Sequence, residues 1–453
     1  MGEQRHLQLL AWRVAGSCAL LLGLAIGLWA FAANSAQRDL QHARRTIRQR
    51  GEPLSFAELA PDSLDPDHDA APLLLDATRQ FQPPRSGFRN ALEWPTNAKR
   101  LAALERELDR QQEVLTLVDR ALDRDQFHYP YHYAANAPSP PRSSLRPLSA
   151  AADLYRGRLR VALHHRDADD ATSAILRLFR LGDYLSREAL LHDQYFGLVI
   201  LHRALDDLQI TLSRLPLAPK SLLALQARVM EIERYPRARE TLIRQRAWVH
   251  DQALIAHEGR GQRRPIPKPS PPHAGIPSSF PPLATITRPL VSRRIAQQLR
   301  HFTQAIDALE TVGPHGEQQW NELREEARDE LCFSVVSSFH QRRICYRAWL
   351  LGCRQRLRLA GLALGLEHHR SAKGYYPERL TDLIATLPSE QHHCVFSGKG
   401  LRYQPDVSGF VVRGPARDND PTSPLSFEIE RPHLDASLGS PATSVVSARR
   451  DPR

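Results

Sequence analysis

The sequence predicts a mainly α-helical protein with an N-terminal transmembrane helix, stacked helical hairpins and a small C-terminal α+β cap. Residues Val14–Ala33 are twenty consecutive residues without a charge, enough as a helix to cross a bilayer core of roughly 30 Å. Through the middle of the chain, apolar residues recur three and four positions apart, which is typical of one face of a helix. Near the C-terminus they alternate instead, which predicts a short antiparallel hairpin.

Length and composition are typical of a globular protein with a sizeable core. The chain has 453 residues, of which 42% are hydrophobic and 25% charged, and this predicts two or three domains. The net charge of +11 would suit nucleic acid or anionic lipid. Lysine occurs at five positions, so 56 of the 61 basic residues are arginine, a bias more typical of a GC-rich genome than of a binding site. No groove-reading motif accompanies the charge, and no nucleic-acid partner is expected.

Composition and periodicity divide the chain into eight segments. The predicted boundaries are 1–13 for an N-terminal tail, 14–33 for the transmembrane helix, 34–95 for a juxtamembrane segment, 96–260 for helical hairpins, 261–290 for a proline-rich linker or loop, 291–372 for long helices, 373–432 for the α+β cap and 433–453 for a disordered tail.

The apolar segment has two interpretations. As an uncleaved anchor it spans the membrane, with Trp12 and Trp29 near its ends. As a signal peptide it would use Arg5 and Arg13 as the basic region and small residues at 30–32 as the cleavage site. The apolar run is longer than a usual signal-peptide core, so we favour the anchor.

The juxtamembrane segment predicts a short helix that ends at Gly51, followed by a helical turn in "SFAELA". Asp65, Asp67 and Asp69 then have the alternating spacing that begins an EF-hand loop. Ala70 stands where that loop needs glycine, so we interpret Asp69 as the cap of a helix that begins near Ala71.

The hairpin region begins with a predicted helix over 96–123, followed by an aromatic cluster from Phe127 to Tyr133 that either stacks a ligand or packs onto its own domain. Four further apolar stripes follow between residues 148 and 232. Asp169 or Asp170 is expected to cap the second of these helices. Short turns between them predict antiparallel pairs similar to tetratricopeptide units, although the full repeat signature is missing.

Nine prolines lie between Gly261 and Pro289, both ends included, which predicts an extended loop or linker. Helical spacing resumes over 291–309 and 317–369. The second stretch ends in "LRLAGLALGLEHH", which is apolar on several faces and predicts a helix buried at the centre of the domain. As a second membrane span it is too short, because Arg354, Arg356 and Arg358 interrupt the uncharged run.

The chain that follows resembles a known family. After the long helix stand a turn, a short polar element and a strand, formed here by Gly374, Tyr376, Pro377, Leu380 and Leu383, then Phe396, Ser397, Gly398, Lys399, Leu401 and Tyr403, then Gly409, Phe410, Val411 and Val412. This order resembles the ending of large uncharacterised single-pass membrane proteins of planctomycetes and related bacteria. That ending is itself similar to the C-terminal region of type II secretion pseudopilins. Gly374 is expected to end the helix in a left-handed conformation, and Pro377 to start the next turn.

The resemblance implies a pseudopilin-like cap, a bacterial inner membrane location and a large domain outside the cytoplasm. A count of arginines on either side of the apolar helix gives the opposite orientation. Cys394 and Val395 replace the family's Asp-Pro, and Asp418, Asn419 and Asp420 offer few ligands for the calcium that some pseudopilins bind. The pilin processing site is missing from the N-terminal sequence.

No catalytic, cofactor-binding or metal-binding residue is predicted. The HExxH, P-loop, GxSxG and CxxC motifs do not occur in the sequence. His392, His393 and Cys394 could contribute to a zinc site with Cys353, with a polar loop as the simpler interpretation. A catalytic role for Ser337, Ser338 and His340 lacks a partner that would orient a base. The cysteines at 332, 345, 353 and 394 permit disulfides without a framework spacing.

The function predicted is that of a membrane-anchored interaction or scaffolding module, with an unknown protein partner. Its binding surfaces would be the concave side of the hairpins and the aromatic segment Phe127–Tyr133. One alternative is an accessory component of a type II secretion or pilus-like system. A second is a hydrolase with a dispersed active site.

Overall fold

A computed structural model describes most of the chain. The described residues are 2–61, 65, 67–84, 88–93, 97–131, 133, 148–187, 190–234, 237–258, 281–311, 314–329, 337–383, 392–395, 398–406, 408–414 and 426–430. At 2–11, 192, 237, 256–258, 281–288, 324, 327–329 and 337–348 the description covers the backbone alone.

The described chain is mainly helical, with one small antiparallel sheet. Its helices are α1 Gly2–Gln49, α2 Ala71–Gln80, α3 Phe88–Ala91, α4 Ala98–Arg110, α5 Gln112–Leu122, α6 Leu148–His165, α7 Ala168–Ser186, α8 Leu191–Arg214, α9 Pro219–Arg234, α10 Arg237–Glu258, α11 Pro281–Glu310, α12 Pro314–Asp329 and α13 Ser337–Lys373. The strands are β1 Arg402–Pro405, β2 Gly409–Arg413 and β3 Ser426–Glu430. Short 3-10 turns stand at Phe56–Leu59 and Leu380–Leu383.

Helix α1 is one continuous helix of 48 residues. The predicted change at residue 33 from a transmembrane helix to a separate short helix is therefore wrong, because no helix-breaking residue stands between Ala33 and Gly51. The part of the chain that the structure describes contains one helix long and apolar enough to cross a membrane, and it lies within α1. The helix ends as predicted at Gly51, whose φ of 68° suits glycine.

The second half of α1 is a packing element of the domain. Leu40, Ala43 and Ile47 are buried against Ile295, Ala296 and Leu299 of α11. We call this contact the α1–α11 seam. An ion pair of 2.6 Å between Arg50 and Asp307 closes its far end. Because Leu40 contacts the region of 295–299 while Arg50 reaches Asp307, the two helices run parallel.

Helix α11 begins at Pro281, inside the predicted proline-rich linker 261–290. The predicted end of that linker is therefore wrong. Proline is tolerated in the first turn of a helix, where its missing N–H has no partner in any case, so Pro281 and Pro282 begin the helix rather than prevent it. Pro289 lies inside α11 and is buried. The rest of the proline-rich segment lies outside the described residues.

The aromatic segment packs onto its own domain. Phe127, Tyr129 and Tyr131 are all buried, and Phe127 stacks on Tyr184 of α7 at a centroid distance of 5.4 Å. The Tyr131 hydroxyl donates to Asp193 at 2.8 Å. The packing interpretation is confirmed, and the proposed use of this segment as a binding surface is wrong because these rings are not accessible.

Both expectations about helix caps name the wrong residue. At α2 the N-cap is Ala70, which makes no side-chain cap hydrogen bond. Asp69 stands one residue earlier, and its carboxylate accepts from the backbone N–H of Ala71 at 3.0 Å. At α7 the cap is Asp167, not Asp169 or Asp170 as expected. Its carboxylate accepts from the backbone N–H groups of both of those residues, at 3.1 and 2.9 Å. An acidic run supplies several candidates, and the residue with extended backbone becomes the cap.

Helices α6, α7 and α8 pack in sequence as antiparallel neighbours. The α7–α8 contact is the closest, because Gly182 and Gly197 face each other. A Cβ at Gly197 would lie 2.5 Å from the backbone nitrogen of Ser186. Helix α9 packs on α13 and α7, so the fourth helix joins the long C-terminal helix instead of continuing a series of pairs.

Helix α13 crosses the centre of the domain. Leu359, Ala360, Leu362 and Leu366 are fully buried, as the apolar pattern predicts. Gly374 ends the helix with a φ of 87°, and Leu383 is buried in the turn that follows.

The cap is a meander of three antiparallel strands in the order β1-β2-β3. The predicted hairpin pairs Tyr403 with Val412. The third strand was not predicted, and it directs Phe427 and Ile429 inward.

Many of the arginines hold helices together. Asp207 of α8 is fully buried and lies 2.5 Å from Arg160 and 2.8 Å from Arg156, both of α6. Asp183 of α7 is also fully buried and pairs with Arg228 of α9 at 2.7 Å. Such pairs give little net stability over apolar contacts, but removal of one partner leaves an uncompensated buried charge. The arginine bias therefore has a structural use.

Replacement of Asp207 by asparagine is expected to lower the free energy of unfolding by about 3–5 kcal/mol, because Arg160 would keep its buried charge without a counter-charge. The matched control is Asp206→Asn on the preceding residue, whose carboxylate is 58% exposed and pairs with Arg356. We expect this control to cost about 0–1 kcal/mol. Urea unfolding of both variants in detergent measures the difference. Equal losses would contradict the structural role of the buried pair.

Candidate functional site

An apolar cavity with a charged rim lies between α8, α9, α10, α11 and α13. Its volume is about 280 Å³, close to the lower limit of the size range typical of small-ligand pockets. Since five helices meet here, packing between helices fixes the wall, and no single loop forms it. We call this cavity the five-helix pocket.

The floor of the five-helix pocket is aliphatic. Helix α8 contributes Leu198 and Leu201, α9 contributes Ile232, and α13 contributes Cys353 and Leu357. All five side chains are buried. Because the paired positions on α8 and α13 are three or four residues apart, they lie on the faces that meet at the core. Such a floor suits an aliphatic or aromatic group of a partner.

Glu233 forms one side of the rim. It is buried and pairs with Arg358 at 2.7 Å, while Arg354 approaches the same oxygen at 3.5 Å. Arg358 also donates to the backbone carbonyl of His393 at 2.6 Å. The pair therefore joins α9, α13 and the segment that leads into the cap.

Arg239 forms the opposite side of the rim. Its guanidinium lies 2.6 Å from Glu310 at the end of α11 and 2.7 Å from Glu52. Glu52 is itself buried and pairs with the fully buried Arg246 at 2.8 Å. Since Glu52 follows α1 directly, this side of the pocket is connected through ion pairs to the end of the N-terminal helix.

Arg234 adds an exposed cation at the end of α9. The rim thus carries three arginines and two glutamates, of which Arg239 and Arg354 are already engaged with carboxylates. A partner that fits this rim would present polar or charged groups of both signs around an apolar centre.

A histidine contact lies beside the pocket, where α8 meets α13. Arg356 donates to Nδ1 of His202 at 3.0 Å, and the His202 ring meets Trp349 edge to face at 5.3 Å. Burial, and secondarily the charge of Arg356, lowers the pKa of His202. His202 is therefore neutral at pH 7, and its protonation would place two cations in contact.

The described side chains include the two cysteines of the hypothetical zinc site. Cys353 lines the five-helix pocket, while Cys394 is buried at the start of the cap, and both are thiols. Among the described side chains, no group of three His, Cys, Asp or Glu could hold a metal ion. Several other candidates lie outside the described side chains, namely Cys332, Cys345, Ser337, Ser338, His340, Asp418, Asn419 and Asp420.

Sequence reasoning missed the residues that form the rim. Glu233 and Arg239 stand in ordinary helical runs, and their partners Arg358 and Glu310 belong to other helices, far along the chain. A charged residue on the apolar face of a predicted helix was the available signal, because a buried charge requires a partner.

No protein-family model, curated protein or solved structure matches the chain.

The stability of the domain is expected to decrease as the pH falls from 7 to 5. The folded state lowers the pKa of His202 below its unfolded value of about 6.5, so the unfolded chain binds the proton more readily. This contribution to stability is complete above the unfolded pKa and is lost below it. His202→Gln keeps an acceptor for Arg356 and should reduce the slope, measured by urea unfolding at several pH values. His392, whose pKa burial also lowers, remains in both proteins. An unchanged slope would contradict the assignment.

Proposed function

We propose that the protein is a membrane-anchored interaction module in which α1 crosses a membrane once and presents the five-helix pocket to a protein partner. One observation carries the proposal. Helix α1 is uninterrupted from its exposed apolar half, 14–33, to the α1–α11 seam. A helix that is apolar on all faces and exposed requires an apolar environment, and here the same helix is built into the domain.

The geometry defines the distance of the five-helix pocket from the membrane. Glu310 at the pocket rim lies five and a half turns beyond Leu290 on α11, which is roughly 30 Å along a helix. The Arg50–Asp307 pair joins the two helices. Leu290 precedes Asp307 by the same number of positions as Ala33 precedes Arg50. Leu290 therefore lies at the same level as Ala33, the end of the apolar half of α1. The pocket would therefore lie roughly 30 Å from the membrane, measured along the α11 axis. A protein partner at the same membrane surface could reach the pocket at that distance.

The composition of the pocket favours a protein partner. An aliphatic floor would accept one or two apolar side chains, and the mixed charges of the rim would pair with polar groups beside them. Interfaces commonly have this arrangement of an apolar centre and a polar rim. We further propose that the antiparallel helices α6–α8 act as a tetratricopeptide-like scaffold beside it.

The resemblance of the C-terminal cap supports a proposal about location. We propose that the anchor lies in a bacterial inner membrane and that the large domain is outside the cytoplasm. The alternative of an accessory component of a secretion or pilus-like system is favoured by one feature, the Gly-Tyr-Tyr-Pro turn from a long helix into a small antiparallel sheet. Co-purification of secretion components with the full chain tests that alternative.

Photo-crosslinking in cells that make the full-length protein tests the pocket. A photoreactive amino acid at Arg234, on the rim, is expected to give a discrete adduct. The same group at Arg79, which is exposed on α2 and is not among the residues that line the pocket, should give none. Leu198→Trp fills the pocket floor and is expected to abolish the adduct.

A circular dichroism melt of the Leu198→Trp variant verifies that it remains folded. An adduct that survives this substitution, or equal adducts from positions 234 and 79, would contradict the proposal that the pocket binds a protein partner.

A further inference from the structure

The beginning of α11 lies beside the apolar half of α1. Because the two helices run parallel, equal numbers of positions can be counted back from the Arg50–Asp307 pair. Ala33, the last position of the apolar half, precedes Arg50 by the same number of positions as Leu290 precedes Asp307. Along a helix that rises about 1.5 Å per residue, the segment Pro281–Leu290 extends about 14 Å further, level with positions 24–33 of α1.

The burial of α1 agrees with this register. From residue 12 to residue 35 every described side chain is exposed except Ala30 and Ala33, which are half-buried. Together with the buried Ala36, these two alanines continue the line of the seam residues Leu40 and Ala43, at steps of three and four residues. One face of the helix is therefore partly covered inside the apolar half. Small residues on that face permit close approach of a second helix.

The amino acids of the α11 end suit a membrane boundary. Residues 281–287 carry no charge, and Arg288 is the one charged residue of the segment Pro281–Leu290. Leu290 is 71% exposed, on a helix whose following turns are buried in the seam. One turn further, Arg293 is exposed, and Arg38 is exposed near the matching position of α1. Exposed arginines one turn beyond an apolar segment are well placed to reach lipid headgroups.

We propose that Pro281–Leu290 is a second membrane contact, a half-length helix that enters the bilayer interface beside α1, with Leu290 in contact with lipid and Arg38 and Arg293 at the headgroups. The inference rests on the proposed function in requiring that α1 spans the membrane. Two helices side by side in one leaflet would fix the rotation of the domain about the α1 axis, which a single span leaves open.

Lipid quenching of a site-specific fluorophore tests the inference on the full-length chain. The five native cysteines are replaced by alanine, and single cysteines are introduced as Phe31→Cys, Leu290→Cys and Leu223→Cys for labelling. The protein is reconstituted into vesicles of phosphatidylethanolamine and phosphatidylglycerol that contain a lipid quencher on the acyl chain. Leu223 is the matched control, since it is also an exposed leucine but lies on α9.

We expect loss of fluorescence at positions 31 and 290 and none at 223. Quenching at 31 with no quenching at 290 would overturn the second contact and leave the anchor intact. The absence of quenching at 31 would overturn the anchor and the inference together. Equal quenching at 290 and 223 would show non-specific adsorption of the domain to the vesicle, and would also overturn the inference. Circular dichroism verifies that each labelled protein is folded.

Discussion

The packing of Leu40, Ala43 and Ile47 against Ile295, Ala296 and Leu299 determines how the rest of the domain lies relative to the N-terminal helix. If α1 ended with its apolar half, a flexible linker would connect the domain to the membrane helix. Because the helix continues into the seam, its direction is fixed by α11, and α11 is fixed in turn by α10 through contacts such as Arg246 with Thr303. The ion pairs from Glu52 to Arg246 and Arg239 then connect the end of α1 to the pocket rim. Packing and ion pairs thus join α1, the α1–α11 seam and the five-helix pocket into one rigid unit.

Arginine has a double role in this unit. Long side chains with five donors can bridge helices that do not touch closely, and they can satisfy a buried carboxylate from two sides. Asp207, Asp183, Glu233 and Glu52 are each held in this way by two or more arginines. These networks order the helices, because each carboxylate is costly to bury unless its own partners are in place. The same residues leave few free charges around the pocket, so recognition there would depend mainly on its apolar floor.

Local chemistry made several elements predictable from the sequence. Twenty uncharged residues specify an apolar helix, and Gly374 and Pro377 specify a turn, because each depends on neighbouring residues alone. The start of α11 was mispredicted because proline is compatible with a loop and equally with a first helical turn. The strand β3 carried an alternating signal in Phe427 and Ile429, but it pairs with a strand across an intervening segment. The pocket could not be predicted, since its rim joins Glu233 to Arg358, which belong to helices far apart in the sequence.

A distance measurement between spin labels in lipid nanodiscs tests whether α1 and the domain are one rigid body. The labels are placed at Phe31 in the apolar half and at Lys220 on α9, both exposed. We expect one narrow distance distribution in the full-length protein. We expect a broad distribution when three glycines are inserted between Ala33 and Asn34, because glycine weakens the helix there. A distribution that is already broad without the insertion would show that α1 and the domain move independently.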